Sequence, residues 1–142
     1  MLLIPDSNEY IFALGAEREK TCERLIEVIA KESDSIFIRI PRFVTTEVRN
    51  NLTPEAFKEF ILLIHKLTFV DEDLIVPYDS VGEYEHRGLK AADAFIAAYA
   101  EWTGADVLVS ENRHFLSRQA NLPFKVLTAE SCLKLIKSSL RK

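Results

Sequence analysis

Leu2-Leu3-Ile4-Pro5-Asp6-Ser7-Asn8 is a short, unbroken apolar run that stops abruptly at three polar residues. Its apolar residues do not alternate with polar ones, so a strand here would be covered on both faces, as strands of parallel sheets are. Pro5 suits the strand's end because it lacks the N–H that a ladder needs. Asp6, Ser7 and Asn8 then stand where the chain leaves the sheet.

Working outward, strand and helix signals alternate. Residues 10–14 form a short apolar helical stretch closed by Gly15, and residues 17–32 an amphipathic helix with Cys22, Leu25, Ile26 and Ile29 at helical spacing. Residues 36–40 are rich in β-branched side chains and read as a second strand, after which Pro41 opens a helix. Thr53-Pro54-Glu55 is a helix start with an N-cap threonine and proline at the first helical position; that helix runs to about Lys66. A short strand is expected around residues 74–76. Gly88 interrupts the chain before a helix over about 90–102, which Gly104 closes in the C′ position. Residues 106–110 and 124–127 are further strands, the last followed by a helix capped by Thr128. There are no repeats or linkers. The pattern predicts one α/β domain over residues 1–142, a three-layer sandwich whose central parallel sheet is flanked by helices. In such sheets ligands bind beyond the carboxyl ends of strands, where strand order reverses.

Composition narrows the classes. With 142 residues, 48% of them hydrophobic, the chain can bury a proper core. No run approaches the ~20 apolar residues of a membrane helix, and the first apolar stretch is too short for a signal peptide. A cytoplasmic protein without a membrane partner is therefore expected. Cys22 and Cys132 are far apart and lack close-spaced partners, which points to reduced thiols rather than a zinc site. The net charge of −4 argues against gripping nucleic acid by bulk electrostatics. It leaves room for a local basic groove, and Arg42, Arg49, Arg87, Lys90 and Arg113 fall near the acids considered next.

Three acids stand where acids are costly. Asp6 follows the first strand, although Asp at such a turn is also an ordinary N-cap. Glu47 falls along the edge of the inward stripe made by Val44, Val48 and Leu52, where the alternative is a solvated edge position. Asp93 begins the face continued by Ile96, Ala97 and Ala100, where the alternative is an acid serving the helix dipole. A buried, unpaired carboxylate costs several kcal/mol or shifts its pKa. If the three converge, one divalent cation compensates all of them, and hard ions such as Mg²⁺ and Mn²⁺ take carboxylate oxygens.

On these residues the chain resembles the PIN-domain family, in particular its small VapC-like toxin nucleases. The matching stretches are Asp6-Ser7-Asn8 after the first strand, Glu47 in T-T-E-V, Asp93 in G-L-K-A-A-D-A-F-I-A-A, and L-V-S-E-N-R-H-F over 108–115. The ordered set spans nearly the whole chain, while no single motif is specific. The resemblance implies a PIN-like parallel sheet flanked by helices, with Asp6, Glu47 and Asp93 as ligands of Mg²⁺ or Mn²⁺ and RNA as the substrate. It implies that Ser110 helps shape the site and that Asn8 orients Asp6. Many family members carry a fourth aspartate where this chain has Asn112, which puts a second metal in doubt; Glu111 is a neighbouring acid that could substitute.

The reaction expected from this set is hydrolysis of a phosphodiester by a water activated at the metal. Asp6 and Asp93 would hold the ion, Glu47 would bind it or order the water, and Arg49 or Arg113 would neutralise phosphates. Two other readings stay open. One is a catalytically inactive PIN-like module that binds RNA or protein, suggested by Asn112. The other is a phosphotransferase with Asp6 as nucleophile, which Asn8 disfavours because that chemistry wants an acid two residues on. The apolar stretch F-K-E-F-I-L-L-I-H-K-L-T-F-V suggests a packed helix or a surface for self-association. A homodimer and an antitoxin partner are what the resemblance implies.

Overall fold

The computed structural model describes residues 1–112, 115 and 121–140. Chain order is β1 (Leu2–Pro5), α1 (Ser7–Leu14), α2 (Lys20–Lys31), β2 (Phe37–Ile38), β3 (Ile40–Pro41), α3 (Arg42–Asn51) and α4 (Pro54–Leu67). Then come β4 (Val70–Asp71), a 3₁₀ turn (Asp73–Ile75), α5 (Tyr78–His86), α6 (Ala91–Thr103), β5 (Val107–Val109), β6 (Lys125–Leu127) and α7 (Ala129–Leu140). Among the described residues no helix is long and apolar enough to cross a membrane.

The central sheet is parallel throughout, in the order β2-β1-β5-β6. Leu3, Ile4, Val107, Leu108 and Val109 are all buried, as unbroken apolar strands between two helical layers should be. From β1 the chain moves to one side to make β2 and later returns on the other to make β5. Strand order therefore reverses between β1 and β5, and the crevice beyond their carboxyl ends is the topological switch point. The α/β fold expected from the sequence is the one observed.

Local signals explain most helix ends. The Thr53 side chain accepts from the Ala56 N–H at 3.1 Å, with Pro54 behind it. Gly104 caps α6 with φ +71°, a conformation that disfavours any side chain. Thr128 accepts from the Ser131 N–H at the start of α7. Cys22 and Cys132 are both buried and free.

Three differences from expectation have physical causes. The second strand is split at Arg39, whose guanidinium turns to Asp71 with two bonds of 2.9 Å. That pull creates a second, two-stranded parallel sheet, Ile40↔Val70 and Pro41↔Asp71. The strand expected at 74–76 lies instead at Val70–Asp71, and Leu74, in the 3₁₀ turn, is 91% exposed. Helix α5 carries a weak apolar pattern and buries Tyr84, packing against α6.

Asp71 also accepts from the Tyr99 hydroxyl at 2.5 Å, and Arg39 lies over the Trp102 ring at 5.1 Å. Burial pushes the Asp71 carboxyl up, but the Arg39 and Tyr99 bonds outweigh it and hold the group below its ordinary value. Stability from this group is thus present above its unfolded pKa and lost as pH falls through the folded one. Asp71→Asn is expected to cost about 1–2 kcal/mol, because Arg39 and Tyr99 keep polar groups with no charged partner. Urea unfolding at neutral pH measures this; an unchanged midpoint would show that the network contributes nothing to stability.

Candidate active site

Asp6 and Ser110 leave the sheet side by side. The Asp6 N–H donates to the Val109 carbonyl at 2.9 Å, and the Ser110 N–H to the Leu127 carbonyl at 2.9 Å. The Asp6 Oδ1 accepts from the Asn8 N–H at 3.0 Å, so Asp6 is an N-cap of α1 as well as a wall of the crevice. Asn8 thereby orients Asp6 through its backbone.

A cavity of about 140 Å³ at this point is lined by Asp6, Ser7, Asn8, Phe43, Val44, Glu47, Ala92, Asp93, Ile96 and Asn112. Glu47 reaches it from the inward edge of α3, where its Oε1 accepts from the Ser7 hydroxyl at 3.3 Å. Asp93 reaches it from the first turn of α6, and its Oδ2 accepts from the Asn112 Nδ2 at 3.1 Å. The four residues expected at the centre, Asp6, Glu47, Asp93 and Asn112, therefore share one pocket.

The electrostatics are one-sided, since no Lys or Arg lines this pocket among the described residues. Burial is the main reason the Asp6 carboxyl is pushed up to about 6. Hydrogen bonds from Ser110 and the Asn8 N–H pull it down, and the charges of Asp93 and Glu111 push it up again. Ser110 is almost wholly buried, so its hydroxyl serves Asp6 and the Asn112 N–H, which donates to it at 3.1 Å. It shapes the site from behind rather than facing a ligand.

Other residues lie elsewhere. Arg49 does not reach the acids; it lines a separate, larger groove between α3 and α4 with Arg42, Phe57, Ile61, His65 and Phe69. The two arms of α3 explain this, because Glu47 and Arg49 are two positions apart and face different sides of the helix. Arg42 is held by Glu72 through its guanidinium, and Arg87 lies over the Tyr84 ring. Arg113 falls outside the described residues. Glu111 turns away from the pocket: its Oε2 accepts from the Ala129 N–H at 3.0 Å, at the start of α7.

Sequence reasoning quoted Ser7 only as part of the Asp6-Ser7-Asn8 turn, without its bond to Glu47, and missed Glu9. Glu9 is fully buried on the first turn of α1, and burial, followed by its hydrogen bond with Glu111, pushes its carboxyl up to about 9. The available signal was an acid on the same face as Ala13, one position before the apolar run.

The donor set suits a hard divalent cation: carboxylates and an amide around a cavity with room for water, with no protein cation in its lining. Among the described residues no three His, Cys, Asp or Glu side chains stand preassembled as a metal cluster, so binding would require the acids to draw together.

Neither a protein-family model nor a curated protein matches the sequence. Solved structures do. VapBC2 from Rickettsia felis, bound to a DNA fragment from their promoter, superposes with a TM-score of 0.60 at 17% identity, covering 89% of this chain and 97% of that one. FitAcB from Neisseria gonorrhoeae gives 0.61 at 15% identity, covering 92% and 99%. PAE2754 from Pyrobaculum aerophilum gives 0.61 at 20% identity, covering 96% and 89%. At these identities the likeness is one of fold, and the chain shares the α/β fold of these proteins over nearly its whole length.

Proposed function

We propose that this protein is a Mg²⁺- or Mn²⁺-dependent endoribonuclease and the toxin of a toxin–antitoxin pair. The observation that carries the reading is the convergence of Asp6, Glu47, Asp93 and Asn112 on one cavity that no Lys or Arg lines among the described residues. Packing alone gives no reason to gather three carboxylates around one cavity, and Asp6 is already pushed up to about 6, chiefly by burial, with the charges of Asp93 and Glu111 adding to it.

Asp6 and Asp93 hold the cation in this reading. Glu47, steadied by Ser7, completes the set or orders the attacking water. The ion would supply the positive charge that lowers a water's pKa and neutralises the scissile phosphate. Ser110 and the Asn8 N–H keep Asp6 oriented toward it. Asn112 offers a carbonyl oxygen but no charge, which favours a single tightly held ion. Arg49 and His65, across α3, are available to phosphates further along a bound strand.

The apolar surface supports partners. Phe69, Leu74 and Tyr78 are 89%, 91% and 88% exposed within one short stretch after α4. Leu74 and Tyr78 line one groove with Val76, Val81 and Phe95, while Phe69 lines the groove between α3 and α4; exposed apolar surface of this kind favours cover by another chain, and a homodimer together with an antitoxin is the proposed assembly.

A second reading has its own observation. Asn112 stands where an acid would complete the ring, and its amide already occupies Asp93. On that reading the pocket has lost chemistry and the domain binds RNA or protein. The purified chain, incubated with mixed RNAs, distinguishes the two. Cleavage is expected in Mn²⁺ and a fall of about a hundredfold or more in EDTA. RNA that is bound and left intact under both conditions would establish the inactive module instead.

A further inference from the structure

A second cavity, of about 390 Å³, opens beside the acid pocket, and Asn8 lines both. Asn8 and Phe12 are four positions apart on α1 and therefore share one face of it. Asn51, the last residue of α3, lines the same cavity, since α1 and α3 pack together. Glu17 enters from the loop over residues 15–19. That loop is pinned: the Gly15 N–H donates to the Ile11 carbonyl at 2.8 Å, and the Glu19 N–H to the Phe12 carbonyl at 2.9 Å. The Arg18 Nε–H donates to the Gly15 carbonyl at 3.3 Å. The backbone that carries Glu17 is thus fixed, while its side chain is exposed and bonds to nothing among the described residues. The Asn8 amide is equally unengaged among the described residues. Asn51 donates one amide N–H to the Glu47 carbonyl at 2.8 Å and keeps the other.

No Lys, Arg or His lines this cavity, and its one carboxylate repels phosphate. What suits it is flat, uncharged and edged with N–H groups, which describes a nucleobase. The half-buried Phe12 ring offers a stacking face, as aromatic side chains do for unstacked RNA bases. A carboxylate is best matched by two N–H donors side by side. Of the four RNA bases only guanine presents such a pair, N1–H and N2–H, with the O6 acceptor beside them for an amide N–H. The position agrees as well. Asp6 and Phe12 are six residues apart along α1, about 9 Å, which is within the span of one nucleotide and its neighbour.

We propose that this cavity is a base subsite that takes the guanine of a nucleotide next to the scissile phosphate. Glu17 accepts from N1–H and N2–H, the Asn51 amide donates to O6, and Phe12 stacks on the ring. The subsite is read from the cavity itself, and its use in cleavage rests on the nuclease reading above.

Short single-stranded RNAs that carry one guanine, or inosine or adenine in its place, test this. Inosine lacks the N2 amino group and so removes half of the pair that Glu17 accepts. By fluorescence anisotropy in EDTA, the parent is expected to bind the guanine strand about tenfold to a hundredfold more tightly than the other two. Glu17→Gln is expected to abolish that preference, because its amide sets an N–H against an N–H. The residue is exposed, so the fold is not at stake. Phe12→Leu is expected to weaken all three strands by about tenfold and keep the preference, because stacking tolerates any base. In Mn²⁺, cuts by the parent should fall beside guanine, and cuts by Glu17→Gln without regard to base. Equal binding of the three strands by the parent overturns the subsite, as it would if a protein segment were the true occupant. A preference that survives in Glu17→Gln overturns it too. Cleavage in Mn²⁺ without base preference would strike the subsite and leave the nuclease reading standing. A guanine preference in EDTA with no cleavage in Mn²⁺ would do the reverse.

Discussion

Asp6→Asn is expected to lower Mn²⁺-dependent RNA cleavage by about a thousandfold, or about 4 kcal/mol in the barrier. The substitution is close to isosteric. Asn keeps an Oδ1 to accept from the Asn8 N–H, so the cap of α1 survives. Its amide can still bond the Ser110 hydroxyl. What it removes is the negative charge at the end of β1, on the strand-order reversal where a ligand binds. If the acids serve only as caps and surface charges, the exchange should be nearly silent. Single-turnover cleavage in Mn²⁺, with unfolding curves to establish that the variant folds, separates these outcomes. Activity within about threefold of the parent would remove Asp6 from the ligand set and, with it, the nuclease assignment. Ser7→Ala is the contrast: it deletes the 3.3 Å bond to Glu47 and leaves the charge set intact, so a far smaller loss is expected.

The site was legible where local chemistry alone decided it. Leu2–Pro5 reads as a strand covered on both faces, so the polar residue that follows sits at the carboxyl end of the sheet. Asp93 was marked by the helix around it, whose Ala94, Ala97, Ala98 and Ala100 are all fully buried. Glu47 was marked by its place beside the Val44–Val48 stripe. Where long-range partners decided the outcome, the sequence was silent. Nothing near Arg39 announces that it will turn to Asp71, so the break between β2 and β3 and the pairing of β4 were unreadable. Leu74 looked like a strand residue because it is apolar, whereas it is 91% exposed. Helix α5 has a glycine in its middle and a weak apolar stripe; its contact with α6 stabilises it. Glu9 escaped for the same reason. A charged residue beside an apolar run reads as surface until Cys22 and Glu111, from two other segments, are seen to enclose it.

Without metal, the stability of the parent is expected to fall as pH rises from about 4 toward 9. A carboxyl whose folded pKa exceeds its unfolded value contributes fully below the unfolded pKa and loses that contribution as pH rises through the folded one. Asp6, raised from 3.8 to about 6, sets the first part of the fall, and Glu9, pushed up to about 9, sets the second. For Asp6 the full shift corresponds to about 3 kcal/mol, and water admitted to the half-buried pocket reduces it to about 2 kcal/mol. Asp6→Asn isolates this first part. In metal-free buffer the variant should be the more stable protein at pH 7.5, by about 2 kcal/mol, with the gap closing near pH 4. A cation reverses the order, because it binds the ionised form: saturating Mn²⁺ should stabilise the parent more at pH 7.5 than at pH 5 and leave Asp6→Asn nearly unmoved. Urea unfolding at the two pH values, with and without Mn²⁺, measures every term. A parent that is more stable than Asp6→Asn at pH 7.5 in the absence of metal would mean that its carboxylate is already compensated by the protein, and a site so compensated has no need of an ion.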